Sequence, residues 1–420
     1  MKAVHILWDA SQIWGLLAVR AVEALGLPHA LARASDIAEG LLRRDPAPLL
    51  LVPGGSARQK AAALGEAGLA AIREYVRSGG NYLGFCGGAG LALSSPGGLG
   101  LCPLHRAAFT ERLQHFMSGH LHVRLDHAAC PGLLPDGLGP TVELPVWWPG
   151  RFESADAAGV HVPAEFAGPA DDFCLADLPI ASLPAGTFEV WQDLYGFSPT
   201  PSFLEGSPCM VAGDYGAGRY ILSYSHLETP DSADAGKIFA HLLRVLTGHE
   251  PARNNVPAWD FSLAPEHEPH PLPARLREIC APVFELGLAH GLLFRRTPWL
   301  LGWRTGIPGA ALNSLCGRPC TAPALRLSPP RPKPSPPPTA RICSGRPNCS
   351  RPDAPNTCSP NVWPKPWPKP CPILCPPPCS PPGAKPFSAR PCRPPGLSWP
   401  SPPLWRNWCS CNIIGFPSRL

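Results

Sequence analysis

The sequence has no long apolar run. No uninterrupted apolar stretch reaches the roughly 18 residues that a membrane-crossing helix needs, so no membrane partner is expected. Met1-Lys2 leads straight into AVHILWD, which with His5 and Asp9 is too short and too polar for a secretory leader. Paired cysteine spacing is also missing. The seven cysteines of residues 1–316 are scattered, which excludes a disulfide framework and reads as reduced thiols in a cytoplasm. From residue 317 onward there is no His, Tyr, Met or Glu, and Asp353 is the only acid. That stretch nevertheless holds 31 of the 59 prolines and 10 of the 17 cysteines. It cannot sustain helices or ladders and has no apolar periodicity from which to build a core. It also carries the positive charge: residues 1–316 sum to −8 and residues 317–420 to +13. The overall +5 is therefore no sign of a nucleic-acid partner for the folded part.

What is present in residues 1–250 alternates. Strand-like runs at 2–9, 29–35, 48–55 and 81–85 are separated by helical spacing at Ile13 to Leu25, Asp36 to about Arg44, and residues 60–78. Ser11 and Asp36 are the expected N-caps, and Gly26 and Ser78-Gly79-Gly80 the stops. Continuous apolar strands alternating with helices predict a doubly wound, mostly parallel α/β sheet of flavodoxin-like type. Sites in such sheets lie beyond the carboxyl ends of the strands. For the stretch around residues 104–220, the segments LHVRLDH, TVELPVWW, GTFEVWQDLYGF and SPCMVAGDYGAGRYILSYS predict antiparallel strands that form a β-rich insertion or extension. Asp234 to Leu246 predicts a closing helix stopped at Gly248.

Two motifs carry chemistry. Gly84-Phe85-Cys86-Gly87-Gly88 fits a nucleophile elbow with Cys in place of Ser. The nucleophile of such an elbow sits on a strained strand-to-helix turn, flanked by glycines because side chains there would collide. The thiol then lies at a helix start, which favours the thiolate. Downstream, the run Tyr220 to Tyr224 leads into Ser225-His226-Leu227-Glu228, and a His-x-Glu after a strand supplies a base and its orienting group from one loop.

VPGG, the elbow GGNYLGFCGGAGLAL and the terminal SHLE together resemble the class I glutamine amidotransferase-like superfamily. Within it, residues 1–250 are most similar to the N-terminal domain of biotin-protein ligases, which PVWWPGRFE at 145–153 and the Asp9 strand end also suit. The resemblance implies a glutamine amidotransferase-like fold and a triad. Cys86 is the nucleophile, His226 the base and Glu228 the orienting carboxylate, with backbone N–H groups at Gly54, Gly55 and Gly87 for the oxyanion. It implies a small amide substrate of glutamine type, or a protein partner, with neither cofactor nor metal. No GRGRxG-like adenylate loop is present, so biotin transfer is not expected, and no synthase domain is present to receive ammonia. A non-catalytic binding module on the same fold is the alternative. A third reading, a deglycase or protease with an early-strand carboxylate near the thiol, would use Asp9.

Residues 251–316 read as an appendage, with helical spacing over Arg275 to Arg296 and an apolar patch at Trp299, Leu300, Leu301 and Trp303. EHEPH at 266–270 reads as linker. The cluster His115, His120, His122 and His127 lacks a partnering Cys or helical His-x3-His pair, and Cys102, Cys130, Cys174, Cys209 and Cys280 read as packing residues. Residues 317–420 are expected to be a disordered Pro/Cys-rich tail. The abrupt change in composition near Cys316 is what out-of-frame translation of a GC-rich gene would yield.

Overall fold

The computed structural model describes residues 3–107, 113–153, 157–176, 178–258 and 271–292. All of these belong to the first of the chain's two units, residues 1–333. The EHEPH segment, the Trp299–Trp303 patch and the expected tail from 317 lie outside the described residues.

The first half alternates as expected: β1 (Val4–Leu7), α1 (Gln12–Ala24), β2 (His29–Ala32), α2 (Ala34–Ala38), α3 (Leu41–Arg44), β3 (Leu49–Val52), α4 (Ala57–Arg77), β4 (Asn81–Phe85) and α5 (Gly87–Ala92). The second half contributes β5 (Met117–Leu125), β6 (Thr141–Trp147), β7 (Val160–Pro169), β8 (Cys174–Leu175), β9 (Leu178–Pro179) and α6 (Thr187–Tyr195). It continues with β10 (Pro208–Tyr215), β11 (Gly218–Ser223), α7 (Ala233–Thr247) and α8 (Pro271–Ala289). One sheet runs β2-β1-β3-β4-β11-β10-β7-β5-β8-β9, with β6 added on β5. The pairs from β2 through β11 are parallel. Their order, 2-1-3-4 followed by one more strand, is the flavodoxin-like doubly wound order. From β11 outward every pairing is antiparallel. The β-rich segment is therefore an extension of the main sheet.

VHIL and LLLV are buried at every position because helices cover both faces of the parallel half. On α4 the buried positions Lys60, Leu64, Gly68, Ile72 and Val76 recur every four residues and form the stripe that packs on the sheet.

Three local expectations are corrected. Ser11 precedes α1 but does not cap it; its Oγ donates to Leu7 O at 2.8 Å. Asp36 is not a cap either. α2 begins at Ala34, whose N–H donates to the Asp9 carboxylate at 2.7 Å, and Gly40 (φ 91°) splits the expected helix in two. GTFEVWQDLYGF is not a strand but α6, bracketed by left-handed Gly186 and Gly196. Phe188 and Trp191 meet on one face, with ring centroids 5.7 Å apart. β7, a ten-residue strand, had no expectation attached to it.

Candidate active site

Cys86 stands between β4 and α5 with φ 48° and ψ −104°, a conformation that L-residues adopt only under constraint. The constraint is visible in its neighbours. A Cβ on Gly88 would lie 1.9 Å from Val52 O, and one on Gly87 would lie 2.0 Å from Gly55 O. The elbow is thus pressed directly onto the β3 loop, Pro53 to Ser56. The Cys86 N–H donates to Ser223 O at 2.8 Å, which ties the elbow to β11. α5 has only six residues, so the charge partners of the thiol are side chains more than a helix dipole.

β11 lies parallel beside β4, with Ser223 opposite Phe85, so both chains leave the sheet at the same end. Three residues later His226 arrives, held by its N–H on Pro145 O at 2.8 Å and by Thr229 Oγ1 donating to its carbonyl at 2.7 Å. His226 Nδ1 lies 2.8 Å from Glu228 Oε1, and both residues are buried. Nε2 is buried with no formed hydrogen bond, as are Glu228 Oε2 and Trp14 Nε1. With Nδ1 occupied by Glu228, Nε2 is the nitrogen left for the thiol. The imidazole stacks on Trp14 at 5.7 Å, and a Cβ on Gly54 would meet both rings, Trp14 at 2.8 Å and His226 at 2.9 Å. Trp147 and Trp148 pack edge-on against Trp14, each at 5.9 Å.

The electrostatics follow from this packing. Burial pushes the Cys86 thiol up, but contact with His226 and the nearby Arg106 outweigh it, and the pKa falls below 9.0. Burial works against the His226 cation too, yet the Glu228 carboxylate and Cys86 raise its pKa to about 10. The pair is therefore shifted toward thiolate and imidazolium relative to a free thiol and a free imidazole. The contrast with the other thiols is sharp: burial raises Cys102, Cys130 and Cys209. The six described cysteines are all free.

The structure thus brings Cys86, His226, Glu228, Gly54, Gly55 and Gly87 to one end of β3, β4 and β11. Asp9 is at the carboxyl end of β1, but its carboxylate accepts from Ala34 N and its carbonyl from Lys60 Nζ. The histidine cluster disperses. His120 bonds Asp172 and Ser232, His122 lies 3.8 Å from Glu143, and His115 packs on Trp148. Sequence reasoning missed Lys60, which is wholly buried behind the elbow and whose Nζ also donates to Ser11 Oγ. The signal was its place on the apolar stripe of α4.

Among known proteins, the family described as "Biotin-protein ligase, N terminal" matches residues 35–95. That span includes Gly54, Gly55 and Cys86 and ends before His226. No curated protein matches the sequence. Among solved structures, the chain is similar to PurLQS from Thermotoga maritima (12% identity, TM-score 0.39, 59% of this chain and 100% of that one). It is also similar to a protein of Thermoplasma acidophilum described as part of a GMP synthase (13%, TM-score 0.35, 59% and 96%). A third similarity is to a beta-galactosidase from Bacillus circulans sp. alkalophilus (11%, TM-score 0.34, 60% and 32%). Over residues 35–95, which carry the elbow and the glycine loop facing it, the resemblance read from the sequence holds, and this segment is similar to the N-terminal family of biotin-protein ligases.

Proposed function

We propose that this protein is a glutamine amidotransferase-like amide hydrolase or transferase working through Cys86, His226 and Glu228. The observation that carries the reading is the 2.8 Å bond between His226 Nδ1 and Glu228 Oε1, which leaves Nε2 of the same buried ring to a thiol whose pKa is lowered. The Cys86 proton passes to His226 Nε2, and the thiolate attacks the amide carbonyl carbon. The carbonyl oxygen becomes an oxyanion beside the Gly55 and Gly87 N–H groups. His226 returns the proton to the leaving nitrogen, the C–N bond breaks, and ammonia departs from a thioester. Water deprotonated by His226 then attacks the thioester, which releases the acid and restores the thiol. Glu228 holds the ring in one tautomer and stabilises its cation. The substrate class is a small amide of glutamine type, with a protein partner as the alternative acceptor of the site. The chemistry needs a reduced thiol, which fits a cytoplasmic protein. No helix of the described residues is long and apolar enough to cross a membrane.

The test is the alkylation rate of Cys86 against pH, read by mass spectrometry beside Cys102, Cys130 and Cys209, in wild type and His226→Ala. Fast labelling at pH 7 that slows in the variant is expected, followed by ammonia release from glutamine or a related amide that Cys86→Ala abolishes. Labelling no faster than the other thiols and indifferent to His226 would overturn the reading. The second reading, a binding module that keeps the fold without turnover, is favoured by one observation. A cavity of about 750 Å³ lined by Arg43, Glu74, Tyr75 and Ser78 opens at the amino ends of β3 and β4, the opposite end of the sheet from Cys86.

A further inference from the structure

Lysine is rarely buried without a role, because its ammonium loses hydration that the interior must replace. Lys60 has no exposed surface, and none of the steps above uses it. Its Nζ donates to Asp9 O at 3.2 Å and to Ser11 Oγ, and Ser11 Oγ in turn donates to Leu7 O at 2.8 Å. These bonds grip the chain on both sides of Ala10. Ala10 needs the grip, since it holds φ 53° and Gln12 after it holds φ 53°, neither of them glycine. Such strain persists only where the surroundings over-determine the backbone.

Ala10 is the base of a stack that ends at the nucleophile. A Cβ on Gly55 would lie 2.2 Å from Ala10 O, and one on Gly87 would lie 2.0 Å from Gly55 O. Three backbone layers (Ala10, Gly55, Gly87) are in direct contact, and Cys86 adjoins the last. A shift of the first layer has no slack in which to be absorbed before it reaches the oxyanion amides.

We propose that Lys60 is a positioning residue for the nucleophile. Its ammonium fixes the Asp9–Ser11 loop under the Gly54-Gly55 loop and places positive potential behind the Cys86 sulfur. The proposal rests on the reading of Cys86 as nucleophile and deepens it. The ionisable groups facing Lys60 are Asp9 from the β1–α1 loop and Cys86 from the elbow, each of which favours its charged form. The loop Pro53 to Ser56 and α5 contribute no ionisable side chain. Burial nevertheless brings Lys60 down to about 7, so its charge changes within the working range of a thiol enzyme.

The test uses the full chain. Lys60→Met keeps the length of the side chain and removes the charge. Cys86 alkylation at pH 6.5 is expected to slow by about threefold or more, corresponding to half a pKa unit in the thiol. The plateau rate at high pH is expected to be unchanged, and an inflection near neutrality to disappear. A purely structural lysine would not move that inflection. Should Lys60→Met fail to fold, the wild-type chain serves. Lysine Cε NMR is expected to show one titration near pH 7, whose midpoint drops in Cys86→Ala, because coupling between two charges is reciprocal. Coincident titrations in the two proteins would overturn the proposal. So would a Lys60→Met profile matching wild type, and if His226→Ala still slows labelling in that case, the triad reading stands. If neither variant slows it, both fall.

Discussion

Two groups behind the candidate nucleophile titrate in opposite senses on folding, and Lys60→Met separates them. Lys60 falls from its ordinary 10.5 to about 7, chiefly by burial. Between those values the unfolded chain holds the proton and the folded chain has released it, so the contribution of Lys60 to stability rises with pH. His226, raised from 6.5 to about 10 by Glu228 and Cys86 against burial, behaves the other way. Its stabilisation is fully present below 6.5 and is lost as pH climbs through 10. Over the overlap the two slopes, each about 1.4 kcal/mol per pH unit for one proton, oppose one another and flatten the wild-type profile. The full Lys60 shift corresponds to roughly 5 kcal/mol. Subtracting wild type from Lys60→Met removes the terms of groups that do not face Lys60, and leaves the Lys60 term with a smaller one from Cys86. The difference in unfolding free energy should therefore become less favourable to the variant by roughly 2 kcal/mol between pH 7 and pH 9. Urea unfolding of both proteins by tryptophan fluorescence at several pH values, with m unchanged, measures it. A difference that stays constant from pH 6 to pH 9.5 would refute the reasoning, because the folded chain would then hold the Lys60 proton as the unfolded chain does.

Other outcomes follow from the same geometry. Gly88→Ala places a Cβ against the Val52 carbonyl and should cost about 3 kcal/mol or more or prevent folding. Gly90→Ala, where the new Cβ meets only Ala57 Cβ at 3.5 Å, should melt near wild type, and thermal denaturation compares the two. Glu228→Gln removes the carboxylate that chiefly raises His226, so the imidazolium that lowers the thiol is weakened, and Cys86 alkylation at pH 7 should fall by about tenfold for each unit by which the thiol pKa rises. An unchanged rate would mean that the charge of Glu228 does not reach the thiol.

The parts of the site that were legible in the sequence are those whose cause is local. Gly87 and Gly88 are glycines because backbone lies within 2 Å of where a Cβ would be, and that pressure marks the motif itself. The short loop from β11 to Glu228 keeps His226 and its carboxylate two residues apart, so their pairing could be read directly. What stayed hidden depends on distant chain. Asp36 looked like a cap because the true one, Asp9, lies 25 residues upstream of the N–H it accepts. Lys60 looked like an ordinary helical lysine because nothing nearby says that its turn of α4 ends against the β1–α1 loop. TFEVWQDLY satisfies both an alternating pattern through Phe188 and Val190 and a helical one through Phe188, Trp191 and Tyr195. The flanking left-handed glycines decide for the helix.

The adjacency of β4 and β11 has a consequence in time. Cys86 leaves the ribosome some 140 residues before His226, and until β11 docks, its thiol lacks the contact that does most to lower its pKa. The nucleophile is thus synthesised inert. It becomes reactive only when a pairing of high sequence separation closes, which is among the slower steps available to a chain. A nascent or truncated product that ends before residue 218 would carry the complete elbow motif and an ordinary cysteine.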